Sequence, residues 1–210
     1  MLKLHRVGEL ALLIESGDAI EPGRVAALLQ AWGHPAVVAV TAAAQSVLVQ
    51  FDETAEVLPS EEAIVAAVLA ASPGDSPPGP AALAPRRHSI PARYEGADLS
   101  EIARQTRLFK NEVIAIHSST IYRVAFLGFQ PGFAYLQGLD PRLALPRRDS
   151  PRERVPAGSV AIAGTWSGIY PSATPGGWQL LGQTTVQLFD AYRAEPCLLR
   201  AGDEVEFLPC

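Results

Sequence analysis

The hydrophobic pattern divides the chain into two halves of different texture. In the first, apolar residues at 2–7 (LKLHRV) and 10–15 (LALLIE) form two short runs broken by Gly8, which predicts two strands. Glu21 and Pro22 then open a helix, since proline is tolerated in a first turn. Val25, Leu28, Leu29 and Trp32 recur at helical spacing, and Gly33 ends the run. AVVAVT (36–41) and SVLVQF (46–51) read as strands. A second helix follows Ser60, with Glu61 and Glu62 in its first turn and Ile64, Val65, Val68 and Leu69 as apolar positions. From Leu10 onward the order is strand, helix, strand, strand, helix, most of a ferredoxin-like unit without its last strand.

Residues 72–85 (SPGDSPPGPAALAP) are too rich in proline and glycine to pack a core, and they read as a linker. The predicted organisation is α+β: an α/β domain over 1–71, a linker over 72–87, and a second domain over 88–210. The strand HSIPARY (88–94) suits either domain. Asp98 to Thr106 and Lys110 to His117 read as short helices, and TIYRVAFLGF (120–129) as a strand of near-alternating faces. Between Phe126 and Thr184, prolines 131, 141, 146, 151, 156, 171 and 175 exclude a long helix. VAIAG (160–164) and WQLLGQTTVQLF (178–189) are the clearest strands there. At the end, Ala201-Gly202-Asp203 reads as a turn between two strands. Short strands at turn-bounded spacing predict an all-β barrel or sandwich.

Composition narrows the partners. Hydrophobic residues make up 48% and charged residues 19%, with a formal net charge of −5, so electrostatics favours neither nucleic acid nor an anionic membrane. Two cysteines, Cys197 and Cys210, make no disulfide framework and no zinc pattern. The N-terminal run is interrupted by Arg6, Glu9 and Glu15, unlike a signal peptide, and no segment reaches membrane-span length. A reducing cytoplasm is the expected compartment.

Candidate chemistry gathers in the Gly/Pro-rich stretch. Arg147, Arg148, Arg152 and Arg154 stand close together on a backbone stiffened by Pro146, Pro151 and Pro156. Guanidinium groups so placed suit a carboxylate or phosphate. The plainer alternative is a solvated loop whose arginines pair with Asp149 and Glu153. His117, at a helix end, is either a cap for the helix dipole or a general acid/base. GFQPGF (128–133) and TPGGW (174–178) are either ligand-cradling loops or tight turns among packed aromatics. Neither matches a Walker A loop or GxGxxG, and the two lysines, Lys3 and Lys110, lie outside them. There is no GxSxG, and Ser159 reads as structural.

The segments PGFAYLQGL, PRRDSPRERVPAGSVAIAG, GIYP and PGGWQLLGQT, in this order, resemble the signature of the KipI/PxpB family, also described as allophanate hydrolase subunit 1 or carboxyltransferase domain, subdomain C and D. The likeness extends upstream through IPARYEGADLSEIA and EVIAIHS. It reaches GELALLIESGDAI, where Glu9 replaces the family's Asp. The resemblance implies a small α/β domain followed by a cyclophilin-like β-barrel. It implies the B subunit of a 5-oxoprolinase that opens 5-oxo-L-proline to L-glutamate at the expense of ATP, with Mg. The implied partners are a C subunit (KipA/PxpC-like) and an A subunit (PxpA-like). Relatives include a carboxyltransferase part of urea carboxylase and KipI, an inhibitor of a sporulation histidine kinase. On this likeness Arg147, Arg152 and Arg154 would bind an anion and His117 would position substrate or transfer a proton. Gly132, Tyr170, Gly176 and Gly177 would line the substrate or nucleotide site.

Overall fold

A computed structural model describes residues 2–17, 20–70 and 85–210; most of the Pro/Gly-rich linker lies outside them. The chain divides into two compact units, Met1–Ala84 and Pro85–Cys210.

In the first unit, strands β1 (Lys3–Arg6), β2 (Ala11–Glu15), β3 (Val37–Ala42) and β4 (Ser46–Phe51) form an antiparallel sheet in the order β1-β2-β4-β3. Helices α1 (Pro22–Trp32) and α2 (Glu61–Leu69) lie where the periodicity places them. Gly33 closes α1 in the left-handed region at φ 62°, where a side chain would be strained. Ser60 Oγ accepts the Ala63 N–H at 3.2 Å and caps α2. Val25, Leu28 and Leu29 of α1 and Ile64 and Val68 of α2 bury against Leu12, Ile14, Val47, Val49 and Phe51. Leu69, expected among the core positions, is exposed, because it follows Val68 around the helix and away from the sheet.

The second unit is built on β5 (Arg87–Ala92), β6 (Ile121–Leu127), β7 (Ala134–Gln137), β8 (Arg152–Val155), β9 (Ser159–Ala163), β10 (Trp166–Ile169), β11 (Thr174–Gly176), β12 (Gln179–Gln183) and β13 (Glu204–Pro209). Seven of them form one sheet in the order β12-β9-β10-β7-β6-β13-β5, and β8 pairs with β11 separately. Only the β13–β5 pair is parallel within the large sheet. The strand of open allegiance, β5, therefore belongs here. The buried Asp203 helps hold it, accepting hydrogen bonds from the Arg86 backbone N–H (3.1 Å), Arg86 Nη2 (3.0 Å) and the Arg200 N–H (3.0 Å).

The two ends of the sheet meet and nearly close a barrel. Arg93 and Gln183 exchange backbone hydrogen bonds of 2.9 and 2.8 Å. Beyond them the Gly96 N–H bonds Leu181 O at 3.0 Å, and the Asp98 N–H bonds Leu180 O at 3.2 Å. Two glycines make this approach feasible. A Cβ on Gly96 would stand 2.3 Å from Leu180 O, and one on Gly182 would stand 2.2 Å from Arg93 O.

Strand β9 is buried on both faces, and its residues alternate between two cores. Val160 and Ile162 join the larger core with Ile90, Tyr122, Leu136, Leu181 and Phe207, to which Leu99 and Ile102 of α3 (Leu99–Thr106) and Val113 of α4 (Lys110–Ser119) contribute. Ala161 and Ala163 face a second core of Phe133, Val155, Tyr170, Trp178 and Leu180.

Where the structure departs from expectation, tertiary contacts decide. The strand expected over 178–189 ends at Gln183, and the Thr184 N–H turns to Gly158 O at 2.8 Å instead. Residues 198–200 form no strand; the Asp203 side chain folds that segment into a turn by accepting the Arg200 N–H.

His117 lies on the larger-core side and is fully buried. Its ring packs on Phe207 and Tyr122 at centroid distances of 4.7 and 5.2 Å. Both nitrogens are bonded: Nδ1 to the Tyr94 hydroxyl at 2.8 Å and Nε2 to Ser167 Oγ at 2.9 Å. Ser167 donates its own proton to Ala161 O at 3.4 Å, so Nε2–H donates to Ser167 and Tyr94 donates to Nδ1. Burial lowers the His117 pKa to about 3. Of the two readings of His117, the protonated cap does not hold, because desolvation outweighs the modest pull of the helix dipole.

Two outcomes test this architecture. Gly182→Ala should open the barrel seam and cost about 2–3 kcal/mol in urea denaturation. Gly128→Ala, with nothing within 4 Å of the added Cβ, should be nearly neutral. Equal stability of the two variants would contradict the closure. The second outcome concerns pH. Between the ordinary 6.5 and the lowered value of about 3, the unfolded chain takes up a proton that folded His117 refuses. Its contribution is whole above 6.5 and declines on acidification by up to about 1.4 kcal/mol per pH unit. In His117→Gln, urea unfolding from pH 6.5 to 4 should show a slope shallower by about one proton. An unchanged slope would mean that His117 titrates freely in the folded protein.

Candidate functional site

The arginine-rich stretch folds around an aspartate that sequence reading takes for a helix start. Asp98 occupies the N-cap position of α3, yet its side chain makes no capping bond. Both carboxylate oxygens are used elsewhere. Oδ2 accepts the Leu180 N–H at 2.7 Å, and Oδ1 accepts Arg148 Nη1 at 3.0 Å and Arg152 Nη2 at 2.6 Å. The Asp98 side chain is only 4% exposed, against 36% for Arg148 and 22% for Arg152. These charge-assisted bonds sit largely out of water, so removing the aspartate would leave two poorly solvated cations. The plainer alternative, local pairing with Asp149 and Glu153, does not describe these two arginines: Arg148 and Arg152 reach an aspartate 50 and 54 residues away in sequence.

Segment 170–177 forms the other wall. Gly176 pairs with Arg152 in the β11–β8 ladder, and the Arg148 N–H donates to Gly177 O at 2.7 Å. A Cβ on Gly176 would meet the Tyr170 hydroxyl at 2.5 Å, so only glycine lets the strand pass over this ring. Burial raises the Tyr170 pKa, while its bond with the Trp178 backbone and the fields of Arg147 and Arg152 oppose that rise. The GFQPGF loop closes the same region. Ser172 Oγ donates to Gln130 Oε1 at 2.7 Å, and the Phe129 ring stands edge-on to Tyr170 and Phe133 at 6.3 and 5.5 Å. Phe129 is held at φ 73° and remains 61% exposed.

The structure thus brings together Arg147, Arg152, Tyr170, Gly176 and Gly177 from the expected set. Arg147 and Arg154 are exposed, and Arg154 has no ion pair among the described residues. Gly132, at φ 81°, packs its backbone against Leu188 and Phe189 and precedes Phe133, whose ring meets Tyr170. His117 is not in this group. Its partner Ser167 is of the same parity as Ile169 in the larger core, whereas Gly168 and Tyr170 face Phe133 and Trp178 on the other side. The sheet therefore separates the histidine from the arginines. Asp98, Arg148 and Gln130 are additions to the expected set. Arg148 was visible as a member of the cluster, but nothing local to Asp98 distinguishes it from an ordinary cap.

Comparison with known proteins places the chain in a family. The family described as carboxyltransferase domain, subdomain C and D matches residues 2–199. Proteins named as the B subunit of 5-oxoprolinase, from Escherichia coli O157:H7 and Bacillus subtilis, are 54% and 51% identical over 123 and 122 residues, each 57% of this chain. Those matches span 56% and 51% of the relatives' own lengths, so the chain spans about half of each. Among solved structures, TTHA0988 is 35% identical with a TM-score of 0.78, the likeness covering 96% of this chain and 40% of that one. PH0987 from Pyrococcus horikoshii is also 35% identical, with a TM-score of 0.58 over 99% of this chain and 97% of that one. The Kluyveromyces lactis urea amidolyase, 20% identical with a TM-score of 0.70, matches all of this chain over 15% of its own length and shares the fold alone. The chain belongs to the family of the carboxyltransferase domain, subdomain C and D.

Proposed function

We propose that this chain serves as the B component of an ATP-dependent 5-oxoprolinase in the cytoplasm, opening 5-oxo-L-proline to L-glutamate together with a C subunit and an A subunit. The observation that carries this reading is the 49–54% identity, over 122–126 residues, to three proteins each named as the B subunit of 5-oxoprolinase. The geometry supports it through the cationic face around Asp98, Arg148 and Arg152, which suits the anionic groups of both substrates. A lactam carbonyl is a poor electrophile, and ATP would supply the activation of its oxygen. This chain's arginines would hold and orient negative charge as it develops. A magnesium ion accompanying ATP would be held chiefly by the nucleotide's phosphates. His117, behind the sheet and neutral, has no direct part in the proposed chemistry. Neither the kinase-inhibitor nor the urea-type reading is better supported; the urea-type reading shares the carboxyltransferase-domain family and, with the urea amidolyase, the fold.

A reconstituted assay decides the matter. With the C and A subunits present, release of glutamate and ADP from 5-oxo-L-proline and ATP should require this chain and stop when any one component is omitted. Absence of turnover from a folded, associated assembly would remove the 5-oxoprolinase assignment.

A further inference from the structure

Buried side-chain donors without a partner are uncommon, because each one forgoes its bonds to water. Among the described residues of the second unit, Gln130 Nε2, Arg148 Nε and Arg152 Nη1 are in this state. All three are donors, two are charged, and all border the segment from Tyr170 to Gly177. The acceptors nearby are already engaged. Asp98 already accepts from Leu180, Arg148 and Arg152 on its two oxygens. Glu101, whose charge also interacts with Arg148, gives its oxygens to Arg104 and Gln105. Asp98 takes hold of each guanidinium by a terminal nitrogen, which fixes the two planes while Arg148 keeps Nε and Arg152 keeps Nη1 unspent.

We propose that Arg148 and Arg152, oriented by Asp98 beside the Gly176–Gly177 backbone, form a subsite for an acceptor-rich anionic group, a carboxylate or a phosphoryl group. The two side chains keep 36% and 22% of their surface exposed, so an anion can approach them, and their unspent donors have no acceptor within the chain. Two guanidinium groups share the one Asp98 carboxylate, and Arg147 stands on the same loop, which also carries the exposed Asp149 and Glu153. A solvated surface run would keep its arginines mobile; here the ion pair with a buried carboxylate has already met the ordering cost. The subsite rests on the 5-oxoprolinase reading only for its choice of probes, the carboxylate of 5-oxo-L-proline and inorganic phosphate.

The test uses the full chain with 15N-labelled arginine, following the side-chain Nε–H resonances by NMR at constant ionic strength. Titration with inorganic phosphate, and separately with 5-oxo-L-proline, should produce a saturable shift at Arg148 and Arg152 with at least one of the two. Response to phosphate alone assigns a phosphoryl group, response to 5-oxo-L-proline alone assigns a carboxylate, and response to both assigns their common chemistry. Arg148→Lys and Arg152→Lys keep the charge but lose the planar fork, and each should weaken binding about tenfold. Arg123→Ala, an exposed charge on β6, should leave binding unchanged. The proposal is overturned if neither anion gives a saturable shift, if matched chloride reproduces the shifts, or if both lysine variants bind within about twofold of the parent chain. These results are separable from the assay above. Anion binding with no turnover would sink only the 5-oxoprolinase assignment, and turnover without anion binding at these arginines would sink only the subsite.

Discussion

Closure of the second unit's sheet is the constraint on which the rest of that unit depends. Without the contact between segment 93–98 and β12, the sheet would present two long unpaired edges. Gly96 and Gly182 allow the backbones to approach, and Asp98 completes the seam by adding a side-chain acceptor for Leu180 beyond the last backbone pair. The same carboxylate then reaches across to Arg148 and Arg152. One residue thus couples the start of α3, the edge strand β12 and the arginine-bearing loop. Loss of its charge would disturb barrel closure and the placement of two cations together.

Strand β9 and its neighbours explain how a single sheet serves two chemical environments. Alternation sends Val160, Ile162 and Ile169 into the larger core, and Ala161, Ala163 and Tyr170 into the aromatic one. On the first side burial strips a histidine of water and keeps it neutral, with the Tyr94 and Ser167 hydroxyls as its hydrogen-bond partners. On the second, small residues and glycines leave room for Phe133, Tyr170 and Trp178 to pack edge-to-face under the cationic loop. The separation comes from the two-residue period of the strands.

Local patterns in the sequence disclosed the elements of the first unit because their stabilisation is local. Helical spacing of Val25, Leu28 and Leu29, the Ser60 cap and Gly33 are each readable within one turn of helix. The second unit was legible in kind, as short strands with shaped turns, and less so in extent. Gln183 ends β12 because Thr184 finds a partner at Gly158, a contact between distant segments. The site divides along the same line. An arginine cluster in sequence was visible, but which members are ordered is decided by Asp98, which from its own neighbourhood looks like a helix cap. His117 carried the opposite ambiguity: a histidine at a helix end suggests a charged cap until three surrounding rings and two hydroxyls show it to be core.

The difference between a charge run and a binding face lies in what each guanidinium has already spent. An arginine free in water gains little from an anion, since binding must order a long side chain and displace its hydration. Arg148 and Arg152 are different because a buried aspartate, itself fixed by the barrel seam, has ordered them in advance and left donors on their remaining edges. Arg154, exposed on the same strand as Arg152, lacks that anchor. The capacity of this loop to recognise an anion therefore follows from how the barrel closes more than from how many arginines the loop contains.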